Sequence, residues 1–355
     1  MKKVGIIYGG MSTEHDVSIM SANSVMANLD KSKYEIYPIY IDKEGKWYKQ
    51  QKHEPQQNNE TQQNDKAQSS EKGTPNEPIE NLPQYLQSLD VIFPVLHGKY
   101  GEDGTIQGML EMLKVPYVGC KVLASSVGMD KVYTKIILEK AGIPQAPYIY
   151  IQKKNDTYKI INKNFEEENL EIEKITEKLK FPMFIKPSNS GSSVGVKKAT
   201  NCEELQKAIE HAGQYDTKIL VEQGIIGKEV ECAILERVAE NDILASTVGE
   251  IMSAEEFYSF DAKYNIPESK TIIPAAIENT QIEEIRKLAV RAFKAIDGAG
   301  LSRVDFFVEK ETNKIYINEI NTLPGFTKIS MYPKLFEAVG IGYSELLDKL
   351  IESVK

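Results

Sequence analysis

The chain has 355 residues, 41% of them hydrophobic and 27% charged, which supports two or three domains with ample core. A net charge of −9 leaves no basic surplus to neutralise a phosphate backbone, so general nucleic-acid binding is excluded and any anionic substrate needs local Lys and Arg. Cys120, Cys202 and Cys232 are few and widely spaced, as in a reducing cytosol, and no apolar stretch is long enough for a signal segment or a membrane span.

Residues 3–8 read as a buried strand, followed by the Gly9-Gly10 turn, a helix over about 16–29 and a second strand over 34–41. Strand, glycine turn, helix, strand is the βαβ pattern of a parallel sheet. From 49 to 78 the only aliphatic residue is Ala67, so this stretch is expected to be a flexible surface insertion with nothing to pack. A strand resumes at 91–96, and a loop with Gly98, Gly101 and Gly104 leads into a helix marked by Ile106, Met109, Leu110 and Leu113. Gly142 to Pro147 reads as a turn or linker. A mixed α+β region then runs to about 221, with a solvated helix expected over 166–180. Beyond it come several strands, a helix over about 280–295 and a closing helix over about 343–354.

Several segments carry chemistry. Phe184 to Val196 is a strand, a Ser/Gly loop and a strand; the small side chains let backbone N–H groups approach phosphate oxygens, and Lys186 adds a point charge. Lys131 is a second phosphate candidate. Alone, the loop reads equally well as a flexible hairpin tip, and Lys131 reads better as a solvated helix lysine. The link between Val221 and Glu229 offers backbone groups and a carboxylate to an adenine and its ribose. Loops after parallel strands, one with Glu14 and one with His97 to Gly104, should line a cleft at the carboxyl ends of the strands. No GxGxxG is present, which counts against a nicotinamide dehydrogenase.

The richest signal lies in two alternating segments, 303–309 and 315–321, joined by a polar link at 310–314. Side chains two apart share a strand face, so Arg303 and Asp305 line up beside Glu319 and Asn321. Three hard oxygen ligands beside a guanidinium suit a Mg²⁺ or Mn²⁺ site with a positive group for developing anionic charge. The plain alternative is the solvated face of a hairpin. The turn Thr322-Leu323-Pro324-Gly325 weakens it, because it offers backbone N–H groups beside the same face. The aromatic, charged stretch 253–264 has no clean period and is expected to act as a lid.

Taken in order, these motifs resemble the ATP-grasp superfamily and, within it, the D-alanine–D-alanine ligase family. The resemblance runs from Gly9-Gly10-Met11-Ser12-Thr13-Glu14 through His97-Gly98 and Gly101-Glu102-Asp103-Gly104, then Lys186-Pro187-Ser188 with Gly191-Ser192-Ser193-Val194-Gly195. It continues to Ala262-Lys263-Tyr264, Arg303-Val304-Asp305 and Glu319-Ile320-Asn321-Thr322.

It implies an α/β, mixed α+β chain with an ATP-grasp fold. A Rossmann-like N-terminal domain would span 1–120, a central subdomain 121–221, and a C-terminal subdomain 222–355 with a lid over about 252–272. It implies that ATP phosphorylates one D-alanine and that the amino group of a second then attacks, giving a dipeptide for peptidoglycan synthesis. By similarity, Asp305, Glu319 and Asn321 would hold Mg²⁺ or Mn²⁺, two ions in the family. Lys131 and Lys186 would contact phosphates, Ser192 would lie at the ATP loop, and Glu222, Gln223, Ile225 and Glu229 match adenosine positions. Gln223 replaces a lysine seen in some members.

Glu14 would take the first substrate's ammonium, with His97 near its carboxylate. Ser192 and Tyr264 would tie Glu14 to the lid, and Lys263 would reach the γ-phosphate. Arg303 and the Gly325 N–H would stabilise the tetrahedral intermediate, and Ser330 would receive the second substrate's carboxylate. Tyr264 favours D-alanine over a hydroxy acid as second substrate. A cytoplasmic homodimer, with no nucleic-acid or membrane partner, completes what the resemblance implies. The competing readings are a ligase making D-alanyl-D-lactate or D-alanyl-D-serine, a nucleotide-binding module without catalysis, and a Rossmann-type dehydrogenase.

Overall fold

The computed structural model describes residues 1–50, 77–252 and 270–354. Its strands form three sheets. The first contains β1 (Lys2–Gly9), β2 (Tyr34–Ile41), β3 (Trp47–Lys49), β4 (Glu77–Pro78) and β5 (Val91–Pro94) in the order β4-β3-β2-β1-β5. β1 runs parallel to both β2 and β5, so it is the central strand, and its last six residues are buried on both faces. Val4, Ile6 and Tyr8 pack under α1 (His15–Asn28), while Ile7 faces α2 (Leu82–Gln87) and α3 (Thr105–Met112).

α1 docks without a wide apolar stripe. It buries Ser18, Ser21 and Ser24, and the Ser18 hydroxyl accepts from Gly9 N (2.8 Å) and donates to the Val95 carbonyl (2.5 Å). The polar insertion enters and leaves through an antiparallel ribbon, with Tyr48 opposite Pro78 and Lys49 opposite Glu77. The expected loop at 49–78 is thereby trimmed at both ends, and its middle, 51–76, lies outside the described residues.

Helices α4 (Val122–Met129) and α5 (Lys131–Lys140) lead to the second sheet. It holds β6 (Tyr148–Lys154), β7 (Thr157–Ile161), β8 (Glu167–Asn169), β9 (Met183–Pro187), β10 (Lys197–Ala199) and β11 (Lys218–Gln223), in the antiparallel order β10-β9-β11-β6-β7-β8. Its inner face packs on α6 (Ile172–Thr176) and α7 (Cys202–Ala212) through Ile175, Leu205 and Ile209. The single solvated helix expected over 166–180 is not what forms. Residues 167–169 pair with β7 at the sheet edge, and only the short α6 follows, anchored by Ile175. Tertiary pairing overrides the Glu/Lys-rich composition here.

The third sheet runs β14-β13-β12-β15-β16, from β12 (Gly227–Arg237), β13 (Asp242–Met252), β14 (Lys270–Ile272), β15 (Leu301–Glu309) and β16 (Ile315–Asn321). Alternation decides its two faces. Val230, Cys232, Ile234, Val304, Phe306 and Val308 pack on α8 (Asn279–Ala295) through Ile285, Leu288, Ala289, Ala292 and Phe293. The opposite face carries Ala233 and Leu235 into a core shared with the N-terminal sheet, α9 (Met331–Glu337) and α10 (Tyr343–Glu352). Phe93 and Phe326 meet there edge-on, with centroids 5.6 Å apart. Asp348 on α10 pairs with Lys33 and accepts from the Tyr34 hydroxyl, which ties the last helix to the N-terminal sheet. The closing helix ends at Glu352, two residues short of expectation. Among the described residues, no helix is long and apolar enough to cross a membrane.

Candidate active site

One cleft of about 590 Å³ opens where the three sheets converge. The second sheet contributes Phe184, Lys186 and Glu222; the third contributes Glu229, Glu231, Arg303, Phe307, Glu319 and Asn321. Glu14 and His97 reach its far end from the N-terminal sheet. Phe184 and Ala146 on one side and Phe307 and Ile320 on the other make apolar walls for a flat ring between two sheets.

At this end, Gln223 and Ile225 line the cleft beside Glu222. The Gln223 side chain turns away and accepts from Lys180 N (2.9 Å). Glu222 is buried and bridges two lysines: Oε1 pairs with Lys135 and Oε2 with Lys186 (2.8 Å). Burial works against its charge, but Lys135 and Lys186 together hold its carboxyl below the usual range. Burial dominates at Lys135 and lowers its pKa; at Lys186 burial is outweighed by Glu222, and its pKa rises. Lys135 carried no signal in the sequence beyond being a lysine on a helix. Only the fold places it, 3% exposed, behind Glu222.

The Ser/Gly loop follows Lys186. Ser192 and Ser193 both adopt left-handed backbone (φ 47° and 59°), a conformation that L-residues other than Asn and Asp rarely hold and that costs on the order of 1–3 kcal/mol each. The loop is fastened from below. Asp130 caps α5 by accepting from Tyr133 N (3.2 Å), accepts from the Ser188 hydroxyl (2.5 Å) and pairs with Lys218. Lys131 lines the cleft and donates from Nζ to the Ser190 carbonyl (2.6 Å). Lys131 and Lys186 thus stand on either side of a loop whose side chains leave room for phosphate oxygens.

The acidic hairpin has the expected face and one feature the sequence did not reveal. Arg303 stands opposite Asn321 and Asp305 opposite Glu319. The register then shifts by one residue, a bulge at Asn318 that turns this extra side chain into the cleft beside Glu319. Asp305 is 3% exposed and lies behind the cleft wall: Arg303 donates to it from Nε (2.8 Å) and Nη2 (2.7 Å), and Asn321 Nδ2 donates to it as well (3.0 Å). Among the described residues, no three His, Cys, Asp or Glu side chains converge as a metal cluster. Glu231, Asp305 and Glu319 nevertheless stand abreast on three neighbouring strands. Of these, Asp305 and Glu319, with Asn321 alongside, fit a hard divalent cation by the chemistry of their donors.

The far end is built around Glu14, at the start of α1. It accepts from the Ser192 hydroxyl, which joins the first strand's loop to the phosphate loop. Gly98 has φ +73°, and a Cβ there would lie 2.4 Å from Glu14 Oε2, so glycine is required on both counts. His97 is buried against the Ser21 hydroxyl (3.0 Å), and burial holds its imidazole below the usual value in spite of Glu14. Glu102, in the same loop, lines the cleft and accepts from Gly98 N (3.0 Å). Burial first and the Glu14 charge second push its carboxyl well above the usual range. Gly325 and Ser330 close this end; a Cβ on Gly325 would sit 2.9 Å from Ser330 Oγ, and that hydroxyl accepts from Thr327 N (3.0 Å). Met252 on β13 pairs with Lys270 on β14, and residues 253–269 between them, expected to act as a lid, lie outside the described residues. Lys263 and Tyr264 lie outside the described residues.

Two antiparallel sheets closing on a cleft with two lysines beside a Ser/Gly loop, next to an α/β domain that offers a carboxylate, are the architecture of an ATP-grasp ligase. The comparisons are specific. The "D-ala D-ala ligase N-terminus" model matches residues 3–120 and the "D-ala D-ala ligase C-terminus" model residues 137–352. The D-alanine–D-alanine ligase of Ruminiclostridium cellulolyticum is 50% identical, covering 99% of this chain and 94% of the relative; that of Acetivibrio thermocellus is 47% identical, covering 99% and 95%.

Among solved structures, the VanG D-Ala:D-Ser ligase of Enterococcus faecalis superposes with a TM-score of 0.80 at 33% identity over 99% of this chain and 98% of that one. The D-alanine–D-alanine ligase of Bacillus anthracis, solved with ATP, gives 0.74 at 30% over 99% and 97%. The chain belongs to the D-alanine–D-alanine ligase family of ATP-dependent ligases.

Proposed function

We propose that this enzyme joins two D-alanines at the expense of ATP, and that each step uses groups already in the cleft. The observation that carries this is the continuous lining: phosphate lysines, an acidic hairpin, Arg303, and then a buried carboxylate and imidazole at the far end. A carboxylate oxygen of the first D-alanine attacks the γ-phosphorus, the bond to the β-phosphate oxygen breaks, and ADP leaves. The amino nitrogen of the second D-alanine then adds to the acyl carbon. The nitrogen loses a proton, the tetrahedral oxyanion collapses, and inorganic phosphate departs.

Lys131 and Lys186 bind the phosphates, with Lys263 added by the lid. Phe184, Phe307, Gln223, Ile225 and Glu229 surround the base and ribose. Glu14 takes the first ammonium and His97 lies by that substrate's carboxylate. Arg303 and the Gly325 N–H receive the oxyanion, where loss of one donor costs ~10²–10³ in rate. Ser330 takes the second carboxylate, and Ser192 with Tyr264 orders the lid. Glu319 and Asn321, with Asp305 behind them, would hold Mg²⁺ or Mn²⁺. Such an ion screens the charge of the transferring phosphoryl group. Division at 120/121 and 221/222, a homodimer and a cytoplasmic location belong to the same reading.

Phosphate release from ATP with D-alanine alone, followed by mass identification of the dipeptide, tests it. Absence of D-alanyl-D-alanine overturns it. A second reading, D-serine as the acceptor, is raised by the similarity to a D-Ala:D-Ser ligase, which shares this fold with the D-alanine–D-alanine ligases. A mixture of D-alanine and D-serine, with the mass of the product measured, separates the two.

A further inference from the structure

Glu231 was picked out by no motif. It sits mid-strand on β12, 4% exposed, opposite Asp305, and its side chain lines the cleft. Its Oε2 lies 3.0 Å from Arg303 Nε, an ion-pair contact at the same nitrogen that donates to Asp305. Folding alone gives no reason for this acid. It places a third carboxylate beside Asp305 and Glu319 in one row of the sheet, and burying like charges together is costly. Three acids do not converge here as metal ligands among the described residues.

What the geometry does supply is orientation. A bidentate pair with Asp305 fixes the guanidinium plane, but both groups hang from the same strand and can swing together. A second carboxylate, from the next strand, stands against Nε and ties the charge of the guanidinium to β12 as well as to β15. Among the described residues, Arg303's contacts are made by Nε and Nη2, and its side chain lines the cleft.

We propose that Glu231 is a positioning residue that aims Arg303 at the tetrahedral oxyanion. This rests on the reading of Arg303 as the oxyanion donor. The test uses the full-length enzyme with Glu231→Gln, Glu231→Asp, Arg303→Lys and the Glu231→Gln/Arg303→Lys double variant.

Displacement of a donor by about 1 Å can cost on the order of 10²-fold, so Glu231→Gln is expected to lower kcat by about 10-fold or more. KM for ATP stays within about 2-fold, since the ground-state phosphate contacts lie elsewhere. Affinity for a phosphinate mimic of the tetrahedral intermediate falls in parallel with kcat, while affinity for ADP does not. Glu231→Asp recovers part of the loss, and it carries the test if Glu231→Gln does not fold. In the double variant Glu231→Gln adds less than about 2-fold to Arg303→Lys, because a positioning residue has nothing left to position.

Wild-type kcat in Glu231→Gln beside a slow Arg303→Lys overturns the proposal alone. Multiplying effects in the double variant, or a loss of ADP affinity equal to the loss in kcat, also overturn it. Wild-type kcat in Arg303→Lys overturns the oxyanion reading and the proposal together.

Discussion

Glu102 and Glu14 share one buried corner, and the consequence is a titration that can be read in stability. Burial and the neighbouring charge raise the Glu102 carboxyl in the folded state. The unfolded chain ionises near the ordinary value of about 4.3. Its stabilising contribution is therefore fully present below that value and is lost as pH rises through the raised one. Glu102→Gln removes the decline: Tm should match wild type near pH 4 and exceed it near pH 8, measured calorimetrically. A wild-type Tm profile in the variant would refute the account.

Glu222 has the opposite sign. Lys135 and Lys186 depress its carboxyl against burial, so its contribution is present above the ordinary range and lost as pH falls through the lowered value. Glu222→Gln leaves two buried ammonium groups facing each other, and urea unfolding at pH 7 should show a loss of about 3–5 kcal/mol. Glu222 was legible as a candidate carboxylate for the cleft, which it lines. Its buried partner Lys135 was not, since a helical lysine looks the same in sequence whether it faces water or a core.

At the scale of elements, alternation did most of the reading. Arg303, Asp305 and Phe307 share one face of β15, and Val304, Phe306 and Val308 the other, as a two-residue period requires. The bulge at Asn318 was invisible, because nothing in Ile315 to Asn321 marks where a register slips. The Gly98 loop shows the same division. Its glycines marked a turn, but the need for glycine at 98 comes from Glu14, distant in sequence. Gly98→Ala forces a left-handed alanine against that carboxylate. It should raise KM for the first D-alanine more than KM for ATP and cost about 1–3 kcal/mol of stability. Unchanged D-alanine kinetics would detach Gly98 from the Glu14 corner.

Across the whole molecule, the N-terminal sheet, the third sheet and the last two helices share one core, from Ile6 and Phe93 to Leu346 and Ile351. By contrast, the polar stretch has only Ala67 to bury. Deleting 52–75 and rejoining the β3–β4 ribbon through a short glycine-rich link should leave kcat within about 2-fold, because a polar sequence with a single aliphatic residue has little apolar area to bury. A loss of kcat beyond about 10-fold would show that the stretch acts in turnover.

The two-residue period was enough, on its own, to sort the faces of the hairpin, the glycines to mark the turns, and the ordered motifs to carry the resemblance to the ligase family. They report local geometry, and a strand face or a glycine turn is local. Tertiary structure alone decided that Lys135 stands behind Glu222, that Asp305 is withdrawn behind Arg303, that Asn318 bulges inward and that Glu231 stands against Arg303 Nε from the next strand. Each of those depends on which distant segment packs alongside, and register and burial are properties of the neighbour as much as of the residue.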